Sequence, residues 1–528
     1  MNDDFDGSSV DVVVIGFGPS GAVASALLGQ AGLNTLVIER QPAVYEKPRA
    51  IALDHEIMRV FQQIGVADEV VRWSAPFTPS EYYGADGQLI KRLATVAPPY
   101  PLGYTPSMVF TQPPVEKALR LRVASMPNVQ VALGQEFVSL TQDAERVSLS
   151  ILGDDSVMRK VTSRYVLACD GASSTVRGAL GIELEDLEFD EPWLVVDVLV
   201  NESALDKLPQ TSVQYCEPER PCTYVIGPGN HRRWEISLLP GEDPAYIATE
   251  EGAWSLLRRW ITPDDASLWR QACYRFHALV ARDWHRGRVF IAGDAAHQQP
   301  PFLGQGMCQG IRDVANLSWK LRAVLSGRAD GRLLDTYAQE RGCHVRQLTG
   351  RIKEIGRVIC ERNLDAARLR DAELLAEAGG QIKTTARQDI IPRLDAGLLS
   401  LKGGSATGSL FPQPKVAYGG HDVLLDEISG CEWRVVIQMP LSNVPVVVRN
   451  AIAGFATLIC LSTAAGTAAV QPHTQEIEVV ELEGVMAAWF DRHHCVAALV
   501  RPDHYVFGTA AGVAELMALL DEVSAVLR

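Results

Sequence analysis

Residues 10–40 read VDVVVIGFGPSGAVASALLGQAGLNTLVIER, and no other stretch constrains the fold as strongly. An apolar run from Val10 to Ile15 leads directly into Gly16, Gly18 and Gly21. A helix pattern rich in small residues follows, and a second apolar run ends at Glu39 and Arg40. This order predicts a βαβ unit of a Rossmann-like α/β fold. Gly16 allows a tight turn at the strand end, Gly18 lets the backbone approach a pyrophosphate, and Gly21 lets the helix pack close to the sheet. Pro19 and Ser20 open the helix, whose free N–H groups suit phosphate. Glu39, about 20 residues further on, is placed to accept hydrogen bonds from a ribose. A glycine turn alone is common, but strand, helix and acid together predict dinucleotide binding.

A chain of 528 residues is too long for one core and implies roughly two to four domains. The net charge of −15 argues against nucleic acid or an anionic membrane surface as a main partner. A small anion held by a local arginine stays compatible with it. The start, MNDDFDGSS, is acidic where a secretory signal would be basic. Ten scattered cysteines without a CxxC pair fit a reducing cytoplasm and exclude a dithiol reductase. Residues 451–470 are uncharged and long enough to span a membrane. Gly454, Thr457, Ser462, Thr463, Gly466 and Thr467 interrupt them, so they read as a buried strand, FATLICLS, and a turn, without stable membrane insertion. His493 and His494 are adjacent and lack metal spacing, and no metal is expected.

Further apolar strands with acidic ends occur at residues 164–171 (RYVLACDG) and 288–294 (RVFIAGD). One sheet assembled from distant segments is expected, with ligand at the strand C-termini. Between them, residues 185–275 alternate apolar and polar in short runs, which predicts an antiparallel sheet with one wet face. Helical periodicity marks residues 313–327 and 332–378. The expected division is therefore 1–184 and 276–400 as two parts of a cofactor domain and 185–275 as a substrate domain. Residues 401–420, rich in Gly, Pro and Ser, read as a linker, and 421–528 as a small separate α/β domain.

Three fingerprints follow in order: Gly16-Phe17-Gly18-Pro19-Ser20-Gly21, then Asp170-Gly171-Ala172-Ser173-Ser174-Thr175-Val176-Arg177, then Gly293-Asp294-Ala295-Ala296-His297. Together they resemble the FAD-dependent aromatic hydroxylases, the single-component flavoprotein monooxygenases related to para-hydroxybenzoate hydroxylase and phenol hydroxylase. The resemblance implies that the first motif binds the ADP half of FAD. It assigns Asp170 and Gly171 to the flavin and nicotinamide cofactors, and Gly293 and Asp294 to the ribityl chain. Arg177 would neutralise phosphate or brace its loop. In PPFLGQGMCQG, the resemblance counts Pro301 and Met307 among the cofactor residues, and Gly304, Gln305 and Gly306, following the prolines at a helix start, would put backbone N–H groups beside the flavin carbonyl edge. Arg49 and Ala50 (KPRAIALDHE) and Gln112 (FTQPPVE) are the expected flavin-facing residues, whereas His297 and Trp319 read as structural.

RWEISLLPGED, FHALVARDW, LDTYAQER, LFPQP and RPDHYV are similar to 3-(3-hydroxyphenyl)propionate hydroxylases. Those carry a C-terminal thioredoxin-like domain without redox cysteines, suited to a structural or oligomerisation role and to a homodimer. The implied activity is NAD(P)H- and O₂-dependent hydroxylation of a phenolic substrate, a hydroxyphenylpropionate-like acid, through a flavin C4a-hydroperoxide. With no second glycine fingerprint, NADH or NADPH would bind transiently. A phenol needs a base, and Asp54 and His55 follow Arg49 closely. Resemblance to phenol hydroxylase implies an acid at Asp54, an arginine near Arg233 and a tyrosine two positions later, where this chain has Glu235. Two alternatives share the motifs: oxygenation of a larger polyketide or antibiotic aromatic, and a flavin-fold binding module of the GDP-dissociation-inhibitor type.

Overall fold

The computed structural model describes residues 5–462 and 475–527. Strand Ser9–Ile15 lies inside an eight-stranded sheet, parallel to Thr35–Glu39 on one side and to Met158–Ala168 on the other. Val129–Leu133 and Val289–Ile291 extend the parallel run outward. The C-terminal halves of the central strands are apolar because both faces are covered there, and Val12, Val13, Val14, Val166 and Leu167 are fully buried. Helices Pro19–Gln30 and Gly306–Leu325 pack against each other and share that core. Register brings the motifs together: Ile15 pairs with both Ala168 and Ile38, and Ala168 pairs with Ile291. The chain segments that run on into Gly16, Asp170 and Gly293 therefore end side by side.

The antiparallel layer is a nine-stranded sheet built mainly on Leu184–Val200, His231–Ser237 and Ala266–Ala281. It also recruits Ser80–Tyr83, Leu89–Ala94 and Lys383–Ala386, which lie outside the region where strands were expected. Those short, polar segments (SEYY, LIKRLA, KTTA) carry too little alternation to announce a strand. Alternation along the central strands is functional. Leu194, Val196, Val198, Trp234 and Ile236 enter an apolar core on one face, while Asp197, Arg233 and Glu235 take the other.

A seven-stranded sheet forms the C-terminal unit. Its strand Thr457–Leu461 carries the fully buried Leu458, Ile459 and Cys460, which explains the apolar run FATLICLS. The turn expected after it, and residues 463–470 of the stretch weighed as a membrane span, lie outside the described residues. Among the described residues no helix is long and apolar enough to cross a membrane. The Gly/Pro-rich segment from 401 runs along strand Val506–Ala510, where the Gly408 N–H donates to the Val506 carbonyl at 2.9 Å. It continues into Lys415–Tyr418, already a strand of this sheet.

Buried polar contacts join this unit to the rest. Arg501 Nη2 reaches Glu340 and Asp503 at 2.6 Å each, and Lys320 Nζ reaches Glu340 at 2.8 Å. Arg59 pairs with Asp426, and the Tyr505 hydroxyl donates to Glu56 at 2.8 Å.

Candidate active site

A cavity of about 980 Å³ opens at the C-terminal ends of the parallel strands and extends to the polar face of the antiparallel sheet. That is the upper end of the roughly 300–1,000 Å³ of small-molecule clefts. Most of the expected cofactor residues line it: Gly16, Gly18, Pro19, Ser20, Glu39, Arg40, Arg49, Ala50, Gln112, Asp170, Gly171, Asp294, Pro301, Gly304, Gly306 and Met307. Gly21, Gly293 and Gln305 sit behind that lining.

The glycine turn is shaped by close approach. A Cβ on Gly21 would lie 1.9 Å from the Gly16 carbonyl oxygen, so helix and strand meet only without side chains there. A Cβ on Gly18 would meet nothing within 4 Å, leaving the backbone open to a phosphate. Glu39 spans the turn: its Oε2 accepts from the Phe17 N–H and its Oε1 from the Gln41 N–H, both at 2.7 Å.

Each of the two acidic motifs presents a carboxylate acceptor that has no partner among the described residues. Asp170 Oδ2 accepts from the Val176 N–H at 3.1 Å, but its Oδ1 is buried with no partner. Asp294 projects into the cavity with its side chain open to it. Arg177 braces the two loops, donating to the Ala295 and Ala172 carbonyls at 2.9 Å each. His297 Nε2 and the Gly293 N–H both meet Asp313 Oδ2, at 2.7 and 3.0 Å. Burial opposes ionisation of Asp313, but His297 and Arg341 outweigh it and hold the carboxyl below its ordinary pKa. His297 thus fixes the loop through Asp313.

Gln112 Oε1 accepts from the Arg49 and Ala50 N–H groups at 3.2 and 2.6 Å, so it shapes the Arg49 loop rather than presenting its carbonyl to a ligand. Helix Gly306–Leu325 points its N-terminus at the cavity, with Gln305 held by Arg312 Nη1 at 2.8 Å. An FAD molecule fits this set: an uncrowded glycine turn, an acid at the second strand end, two unpartnered carboxylate acceptors and a helix N-terminus in one cleft.

Asp54 and His55, expected as phenol-activating groups, do not line the cavity. Asp54 caps helix His55–Gln63: Oδ1 accepts from the Glu56 and Ile57 N–H groups at 3.1 and 3.2 Å, and Oδ2 pairs with Arg312. Both oxygens are committed, so its place is structural, through Arg312 and Gln305. His55 is buried. Burial lowers its pKa to about 4, Arg312 and Arg59 adding to this against Asp54.

Arg233 does line the cavity. Its Nε and Nη2 grip Asp197 at 2.7 and 3.1 Å, and Asp197 also meets His231 Nε2 at 2.8 Å. Glu235 stands beside it in the cavity wall, 5% exposed. Its sequence signal was the missing tyrosine, and only the strand pairing reveals what it faces.

Residues 9–351 match the model of the FAD-binding domain family, and residues 408–525 match the HcaD C-terminal domain. The chain is 36% identical to a probable NADH-specific resorcinol 4-hydroxylase of Rhodococcus jostii (strain RHA1), over 98% of this chain and 95% of that protein. It is 34% identical to a 3-(3-hydroxy-phenyl)propionate/3-hydroxycinnamic acid hydroxylase of Burkholderia cenocepacia (strain HI2424), over 97% and 96%. The crystal structure of the flavin-dependent monooxygenase PieE with FAD and substrate superposes with a TM-score of 0.81 at 21% identity, covering 98% and 99% of the two chains. Aklavinone-11 hydroxylase gives 0.77 at 21% identity over 99% and 100%, so the fold extends to both. With its motifs converging on one cleft and relatives matching end to end, the chain belongs to the FAD-dependent aromatic hydroxylases, flavoprotein monooxygenases of the FAD-binding domain family.

Proposed function

We propose that the protein hydroxylates a small phenolic ring using O₂ and a nicotinamide, NADH being the donor suggested by the Rhodococcus relative's name. The observation carrying this reading is one continuous cavity, with the FAD-type cradle at one part and the buried Arg233–Asp197–Glu235 wall at another. FAD, when bound, supplies the redox chemistry: it takes hydride from the nicotinamide and activates oxygen.

The chain supplies positioning and charge. Backbone N–H groups at Gly306 and the helix start favour negative charge on the neighbouring group. Glu39, Asp170 and Asp294 accept from sugar hydroxyls. Phe276 and Ile51 line the same cavity and give an aromatic ring apolar surface. The negative net charge and the unpaired cysteines favour a small-molecule partner and a reducing compartment such as the cytoplasm. Hydroxyphenylpropionate and resorcinol, the ring types in the relatives' names, are the first probes. Substrate-dependent NADH oxidation with stoichiometric hydroxylated product supports the reading; oxidation that yields only hydrogen peroxide with every phenol opposes it.

A further inference from the structure

We propose that Glu235 is the base that takes the proton from the substrate's ring hydroxyl. This rests on the phenol-hydroxylating function proposed above. Glu235 lies on strand His231–Ser237 with its side chain on the same face as Arg233, opposite the core residues Trp234 and Ile236. It is 5% exposed, yet among the described residues no hydrogen-bond donor reaches its carboxylate. The closest cation, Arg233 Nη1, stays 3.9 Å away because that guanidinium is engaged by Asp197. Across the neighbouring strands Glu235 pairs with Val195 and Thr223, neither of them charged.

A buried carboxylate without a donor is costly unless a ligand supplies one. A phenol O–H entering the cavity is such a donor. Burial pushes the Glu235 carboxyl up to about 7; Asp197 adds to this, while Arg233 and Arg270 oppose it. The charged side chains on this face, Arg233 and Arg270 against Asp197 and Glu235, balance without a substrate carboxylate. Of the remaining titratable wall groups, Tyr274 is held by Arg270, and His277 Nδ1 lies 3.6 Å from Asp190. Asp54 is off the cavity with both oxygens committed. In the step itself the substrate O–H bond breaks, its electron pair stays on oxygen as phenolate, and the proton bonds to a Glu235 oxygen. No oxidant or reductant enters. The resulting phenolate has the electron-rich ring that hydroxylation requires.

The test uses full-length, FAD-loaded wild type, E235Q and E235D, with resorcinol and 3-(3-hydroxyphenyl)propionate as probes. Wild type should show a phenolate absorption band on binding the probe, and hydroxylation should rise with pH through about 7. E235Q should keep FAD, lose the band and form product about 100-fold more slowly while NADH oxidation leaks to hydrogen peroxide. E235D should recover part of both signals. Product formation by E235Q within about threefold of wild type, with the band intact, overturns the proposal. Should E235Q fail to hold FAD, the wild-type profile decides: a rate flat between about pH 5.5 and 8.5 overturns it. If wild type hydroxylates neither probe, the functional reading fails, and the phenolate band on binding still decides the role of Glu235.

Discussion

Asp294 offers a carboxylate to the cavity, and among the described residues none donates a hydrogen bond to it, so its replacement removes an acceptor and leaves no described donor stranded. Asp294→Ala should weaken FAD binding by about 10- to 100-fold, the worth of one or two charged hydrogen bonds. Titration of apoprotein with FAD measures this, and wild-type affinity would refute the assignment. Gly21→Ala acts differently, because its Cβ would overlap the Gly16 carbonyl. The helix must shift from the strand, and both FAD content and thermal stability should fall, as absorbance and calorimetry would report. Glu235 and Asp54 show how residue type alone misleads. Both are acids close to a flavin motif in sequence or fold, but one faces the cavity and the other caps a helix.

Among the elements, the helix Asp335–Cys360 ties the cofactor unit to the C-terminal unit through Glu340. Burial would raise the Glu340 carboxyl, but Arg501 and then Lys320 overcome this and bring it down to about 2. A carboxyl lowered in the fold contributes stability above its ordinary pKa near 4.5 and loses it as pH falls toward 2. Glu340→Gln should therefore cost about 3–5 kcal/mol at neutral pH, since it leaves the buried Lys320 without its paired carboxylate while Arg501 keeps Asp503, and little near pH 2. Urea unfolding at the two pH values checks this; equal losses at both would contradict it. The elements differ in how far the sequence revealed them. Ser9–Ile15 and Thr457–Leu461 were legible because burial of Val12–Ile15 and Leu458–Leu461 on both faces demands apolar runs there. Ser80–Tyr83 and Lys383–Ala386 were not, because edge-side pairing rather than apolar pattern makes them strands. The FAD cradle was readable from glycine and Asp spacing, since cofactor chemistry dictates it locally. The substrate wall was not, because Arg233, Asp197 and Glu235 meet only through cross-strand register.

At the scale of the whole molecule, the cleft exists because distant segments end at one sheet edge and a second sheet closes over them. No described residue of the C-terminal unit lines that cavity, but its Arg501, Asp503 and Tyr505 complete buried networks behind the helix that faces it. Truncation after residue 400 should strip Arg59 of Asp426 and the Phe411 carbonyl, Glu340 of Arg501 and Glu56 of Tyr505, and give aggregated, FAD-poor protein; a yellow, monodisperse fragment would contradict this. The central claim is that these loops converge on a flavin whose oxygen chemistry is directed at a phenol. The most direct measurement is simultaneous recording of NADH oxidation, O₂ uptake and hydroxylated product by the FAD-loaded chain across a phenol panel. The account predicts equal amounts of all three with at least one small phenol; a chain that stays colourless after reconstitution, or consumes NADH without hydroxylating any phenol, would contradict it.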